Sequence, residues 1–236
     1  MLDDRGIALG INLQAEHCRR NGAPVTARIV QAQIALMASD TPCGARIRDW
    51  PGLPLEDAMP LRLAGGFHHL LLTGADARLE PVYREAIVDQ EEIDAIVLAV
   101  TRDHDAALLP WFDSPPQTNE AGRSASFMAG LMWLSGRVGP RCELNELGAS
   151  AGVNTMMERY FYDLGGVMAG PAASPMRIIP EWRGPPPPDH PVEIVAIRGC
   201  DQAPVDLSDP AAALRVKSYV WPENAQRLER IDAAIA

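Results

Sequence analysis

From about residue 3 to about residue 138 the apolar side chains recur at three- and four-residue intervals, as in Ile29, Ala32 and Leu36, or Ile93, Ile96, Val97 and Val100. Side chains at those spacings share one face of a 3.6-residue turn, so the pattern predicts amphipathic helices packed on a common core. With Pro and Gly taken as helix-end signals, helices are expected over 5–20, 25–39, 60–73, 81–88, 90–109 and 119–138. No alternating strand pattern of any length interrupts this half.

The texture changes after Gly139-Pro140. Short β-favouring runs at 142–147, 160–163, 176–179 and 192–198 now stand between turn residues. The expected fold class is therefore α/β: a helical domain over 1–138, followed by an incomplete Rossmann-like, methyltransferase-type sheet domain over 139–236 with an insertion at about 160–191. Four consecutive prolines, Pro185 to Pro188, have fixed φ and no N–H to donate, which suits an exposed extended connection.

Between the first two of those runs lies the most informative stretch of the chain. Glu146-Leu147 leads into Gly148-Ala149-Ser150-Ala151-Gly152, and Val153 to Tyr160 continues as a helix. One chemistry for such a strand, turn and helix is nucleoside binding, in which small residues let the backbone approach the ligand and helix-start amides point into the site. Glu146 then stands at the strand end near a ligand amine, with Asn154 just inside the helix. Another is the Gly-x-Ser-x-Gly nucleophile elbow, with Ser150 attacking a carbonyl. That route needs a histidine after the serine, and His190 beside the proline run is the only one. A tight turn with no ligand is the third reading.

Glu146-x-Gly148-x-Ser150-x-Gly152 resembles the acidic-glycine motif of class I S-adenosylmethionine-dependent methyltransferases, with Ser150 where a glycine is usual. Further on, 194–204 resembles the second strand of that fold, ending in Gly199-Cys200-Asp201-Gln202-Ala203-Pro204. The resemblance implies S-adenosylmethionine as cofactor, bound by Glu146, Gly148, Ala149, Ser150, Gly152, Asn154 and Asp201. Asp201 takes the ribose hydroxyls, a task suited to a carboxylate that accepts two hydrogen bonds, and Asp163 is its rival. Together with Pro116 to Arg123, Glu181 to Gly184 and Ser218 to Pro222, these motifs resemble a bacterial family of unknown function along essentially the whole chain. Members of that family are longer, which implies a sheet left unfinished here and a homo-oligomer formed through its exposed edge.

Gln117, Asn119, Glu120 and Arg123 precede a long apolar helix. Either Thr118 or Asn119 is its N-cap, with Glu120 favouring the helix dipole, or Gln117, Asn119, Glu120 and Arg123 line the substrate side of the cleft, with Glu120 as catalytic base or amine anchor. Asp103-His104-Asp105 and His68-His69 carry metal-ligand chemistry, but neighbouring helical positions point about 100° apart and do not share an ion, so no metal is expected. Tyr219 and Trp221 either wall a pocket or pack a core.

Composition narrows the partners. The net charge of -10 repels a phosphate backbone and an anionic bilayer, leaving a small-molecule ligand rather than nucleic acid or membrane. Four scattered cysteines without a Cys-x-x-Cys pair argue for reduced thiols, and the acidic 1–5 stretch is followed by no apolar signal-like run, so the cytoplasm is the expected location. The reaction is left open among an S-adenosylmethionine-dependent transfer to an unnamed acceptor, hydrolysis at Ser150, and a non-catalytic binding or structural role.

Overall fold

The computed structural model describes residues 4–235, and the acidic opening 1–3 lies outside them. The chain divides into two compact units, one of Met1–Pro116 with Leu214–Ala225 and the other of Gln117–Ala213 with Gln226–Ala236.

The first unit is built from helices α1 (Asp4–Arg20), α2 (Pro24–Met37), α3 (Pro42–Arg48), α4 (Met59–Leu72), α5 (Glu80–Tyr83) and α6 (Gln90–Leu108). Their periodic positions meet as the hydropathy pattern requires: Ile7, Ile11, Ile29, Leu36, Leu63, Phe67, Ile93 and Val97 are buried in one core. Each such side chain contributes roughly 1.5–3 kcal/mol on leaving water. The ends follow from capping chemistry. Asp89 accepts the N–H of Glu92 at the start of α6, and Thr41 accepts that of Gly44 at the start of α3. Helix α3 was not among the expected ones, since seven residues are too few to display a period. The expected 81–88 helix is a single turn, because Glu85 at φ 56 leaves the helical conformation.

The two histidine motifs serve this unit's packing. His68 is buried with Nδ1 3.0 Å from the Ser218 carbonyl, and His69 Nδ1 lies 3.3 Å from the Ser218 hydroxyl. Asp105 accepts the backbone N–H of Cys43. Asp103 pairs with Arg78, and His104, at a kink in α6, lies 3.1 Å from the buried Asp76. Hydrogen bonds from Arg78 hold the Asp76 carboxyl at about 2. Among the described residues no three of His, Cys, Asp and Glu converge as a metal set. Tyr219 stands edge-on to Trp111 in the same unit, in the turn after a helix rather than on a strand.

In the second unit, α7 (Ser124–Val138) precedes β1 (Arg141–Leu147), a 3-10 helix (Val153–Arg159), β2 (Phe161–Asp163), β3 (Met168–Ala169), β4 (Arg177–Ile178) and β5 (Glu193–Cys200). Helix α8 (Pro210–Ser218) begins in this unit and ends in the first, and α9 (Ala225–Ile235) lies almost wholly in the second. Strands β1 and β5 pair in parallel, with Leu144 opposite Ile197 and Glu146 opposite Gly199. A second small sheet has the order β3-β2-β4. The molecule is thus mixed α/β, with a helical N-terminal region and small sheets. Gly139-Pro140 lies inside the second unit, because Met128 and Met132 of α7 share a core with Leu144, Ile194 and Ile197.

Val153 to Tyr160 was expected as an α-helix and forms a 3-10 helix. The Gly152 carbonyl there accepts both the backbone N–H and the hydroxyl of Thr155, at 3.0 and 2.6 Å, which favours the tighter i to i+3 turn over an i+4 bond. No helix among the described residues is long and apolar enough to cross a membrane.

Candidate functional site

The carboxyl ends of β1 and β5 lie side by side, and the residues following each strand interlock. The 148–152 turn needs left-handed backbone at Gly148 (φ 75), Ser150 (φ 53) and Gly152 (φ 70). Glycine supplies this freely, whereas Ser150 is held there by its neighbours. Its N–H donates to Asp201 Oδ2 at 2.8 Å, and its carbonyl accepts the Val205 N–H at 3.1 Å. Gly148 and Ala149 both donate to the Cys200 carbonyl. Asp201 Oδ1 accepts the Ala203 N–H at 2.8 Å, and the backbone donors of Ala203 and Ser150 lower its pKa. Asp201, not Asp163, therefore stands beside the turn; Asp163 accepts the Gly166 N–H in the β2–β3 turn.

Gly199 permits this close seating. A Cβ there would lie 2.7 Å from Ala149 Cβ and 2.9 Å from Thr155 Cγ2. The turn amides do not form the open anion cradle expected from the motif: those of residues 148, 149, 150, 152 and 153 are all bonded to protein acceptors.

The segment ahead of α7 braces both loops. Asn119 is buried and its Oδ1 accepts the Val153 N–H at 2.7 Å, while Gln117 Nε2 donates to the Ala203 carbonyl at 2.7 Å. These two substrate-side candidates reach the turn, but as scaffolding. Glu120 and Arg123 face elsewhere. Glu120 pairs with Arg227 at 2.7 Å and Arg230 at 2.8 Å on α9 and accepts the Gly122 N–H, and Arg123 donates to the Thr118 carbonyl. Glu120 fastens α9 and is not placed to serve as a base.

A cavity of about 330 Å³ opens between α7, the inner face of β1 and the 3-10 helix. Leu144, Met157 and Ile197 wall it with Phe127, Leu131 and Leu134 of α7. Glu146 is the one charged residue in its lining, accompanied by Asn145, Asn154 and Ser126. Asn154 Nδ2 donates to Glu146 Oε1 at 3.3 Å. Glu146 Oε2 and Asn154 Oδ1 are buried with no hydrogen-bond partner. A buried carboxylate oxygen left in that state is costly, and a ligand donor or cation removes the cost. Gly148, Ala149, Ser150, Gly152 and Asp201 lie at the strand ends and do not line the cavity.

The α7 contribution was not foreseen. A signal existed: apolar residues fall on both sides of that helix, Met128 and Met132 buried while Phe127 is 60% and Leu134 44% exposed. A helix apolar on two faces has two surfaces to cover. The Ser150 hydroxyl is buried without a hydrogen-bond partner, and His190 Nδ1 lies 3.2 Å from the Met132 carbonyl on α7, so no histidine is in place to activate the serine.

The family described as "Uncharacterized protein conserved in bacteria (DUF2332)" matches residues 10–236. The chain belongs to that family. No curated protein and no solved structure gives a match. The DUF2332 match runs through both compact units and so includes β1, the glycine turn, β5 and the Asp201 loop.

Proposed function

We propose that this protein binds S-adenosylmethionine at a Rossmann-like, methyltransferase-type site, with Glu146 and Asn154 holding the amino group of the ligand. The observation that carries the reading is the unpartnered Glu146 Oε2 in the wall of a mainly apolar cavity at the carboxyl end of a parallel strand. An ammonium group supplies the N–H donors that oxygen lacks. The cavity volume falls within the usual range for small-molecule sites, roughly 300–1,000 Å³.

The remaining residues fit in part. Asp201 stands beside the turn and accepts the Ser150 and Ala203 N–H groups, with Gln202 N–H a third backbone donor; a carboxylate has about four lone-pair sites, so its capacity is not filled. Gly148 has open space where a side chain would be, which leaves room for a ligand over the turn. Gln117 and Asn119 keep the two loops in place. When bound, S-adenosylmethionine supplies an electrophilic methyl group, and orientation of an acceptor against it is the main service such a site performs. Glu120, paired to two arginines, has no part in this.

Calorimetric titration with S-adenosylmethionine and S-adenosylhomocysteine tests the reading. Saturable binding of both is the expected result, and absence of heat with either removes the proposal. Hydrolysis is the competing chemistry, favoured by the left-handed conformation of Ser150 and opposed by its lack of a base. A fluorophosphonate probe is expected to leave Ser150 unlabelled; stoichiometric labelling there would replace a nucleoside site with a nucleophile.

A further inference from the structure

We propose a second binding site in the second unit, in the groove between the β4 segment and α9, that takes a small organic monocarboxylate with a short apolar tail. It is independent of the nucleoside reading. The groove encloses about 290 Å³. The β4 segment contributes Met176, Arg177 and Ile179 to its lining, and α9 contributes Arg230 and Ala233.

The two guanidinium groups are held but not saturated. Arg230 is largely buried, with 22% of its side chain exposed, and its Nε is committed to Glu120. No other protein hydrogen bond of its terminal nitrogens is formed among the described residues. A guanidinium has five N–H donors in a fixed fork that matches a carboxylate edge, so most of this fork is unspent. Arg177 lies 4.0 Å over the Phe161 ring, which fixes its plane, and makes one long bond of 3.4 Å to the Ala172 carbonyl. Behind the groove, Glu120 is a single negative charge shared between Arg227 and Arg230, with Arg123 close by. Burial lowers the pKa of Arg227, with the Glu120 charge raising it and the charges of Arg123 and Arg230 lowering it.

Charge and polarity set the ligand class. Glu229 also lines the groove, so with Arg177 and Arg230 the lining carries one net positive charge, which a monoanion neutralises and a phosphate dianion overshoots. Buried Met176 and the 59% exposed Ile179 offer apolar surface beside the charged fork, which an alkyl tail covers.

Hexanoate is the probe, titrated calorimetrically into the full chain, with hexanamide as its uncharged isostere. Hexanoate is expected to bind saturably with a Kd of about 1 mM or tighter, and hexanamide is expected not to bind. Arg230→Gln also removes one of the two arginines paired with Glu120 and so risks the fold; Arg177→Gln and Ile179→Asp change exposed positions instead. Each of those two is expected to raise the hexanoate Kd about tenfold with an unchanged unfolding midpoint. No saturable hexanoate binding, equal binding of hexanamide, or an unchanged Kd in both variants would each overturn the site.

Discussion

Glu120 and Glu146 are half-buried carboxylates of the same compact unit, and their surroundings finish them differently. Glu120 receives two guanidiniums and a backbone N–H, so its oxygens are committed to fastening α9 under the segment that precedes α7. Glu146 receives one side-chain amide, and its second oxygen is buried without a hydrogen-bond partner on a residue that lines the cavity. The first carboxylate contributes to the stability of the unit. In the proposed reading a ligand donor completes the second, since a buried polar atom without a partner calls for an explanation.

Removing the committed carboxylate should have the largest effect. Glu120→Ala removes the carboxylate that two largely buried guanidiniums share, and breaking such a pair costs about 3 kcal/mol, somewhat less here because each partner retains some exposure. Urea unfolding should show that loss; a change below about 0.5 kcal/mol would mean that Glu120 is no more structural than Glu146. Next comes Gly199→Val, which drives a side chain into Ala149 and Thr155 and should cost about 2 kcal/mol by the same assay.

Asp201→Asn tests the turn through pH. Its folded pKa is depressed by the Ala203 and Ser150 backbone donors, so the stability it contributes is complete above the unfolded carboxylate pKa of about 3.9. It is lost as pH falls through the lower folded value. Wild type should therefore unfold at higher urea than Asp201→Asn at neutral pH, and the two curves should converge below about pH 4. A gap that persists into acid would show that the carboxylate charge is not what holds Ser150. The smallest effect is expected at Glu146→Gln, which removes an incompletely paired buried charge and should leave stability within about 0.5 kcal/mol of wild type.

Local features of this site could be read from residue order, and long-range ones could not. Periodicity located α1, α2, α4 and α6 because each spans several turns, whereas α3 is too short to show a repeat. The apolar strand before Asp201 marked that residue over Asp163, and Asp201 does contact the turn. The role of Glu120 was invisible because its partner Arg230 lies 110 positions away. The 3-10 form of 153–159 is accompanied at its first turn by a threonine hydroxyl bond to the Gly152 carbonyl, a contact that composition does not encode. The α7 wall of the cavity could have been suspected from a helix apolar on two faces, had that excess been weighed against burial on one side only.

The most direct measurement is the calorimetric affinity of S-adenosylmethionine for wild type and Glu146→Gln, with unfolding midpoints recorded on the same preparations. A ligand-facing Glu146 predicts saturable binding by wild type and a loss of about tenfold or more in the variant at unchanged stability. Equal affinity in the two proteins, or no binding by wild type, would contradict it.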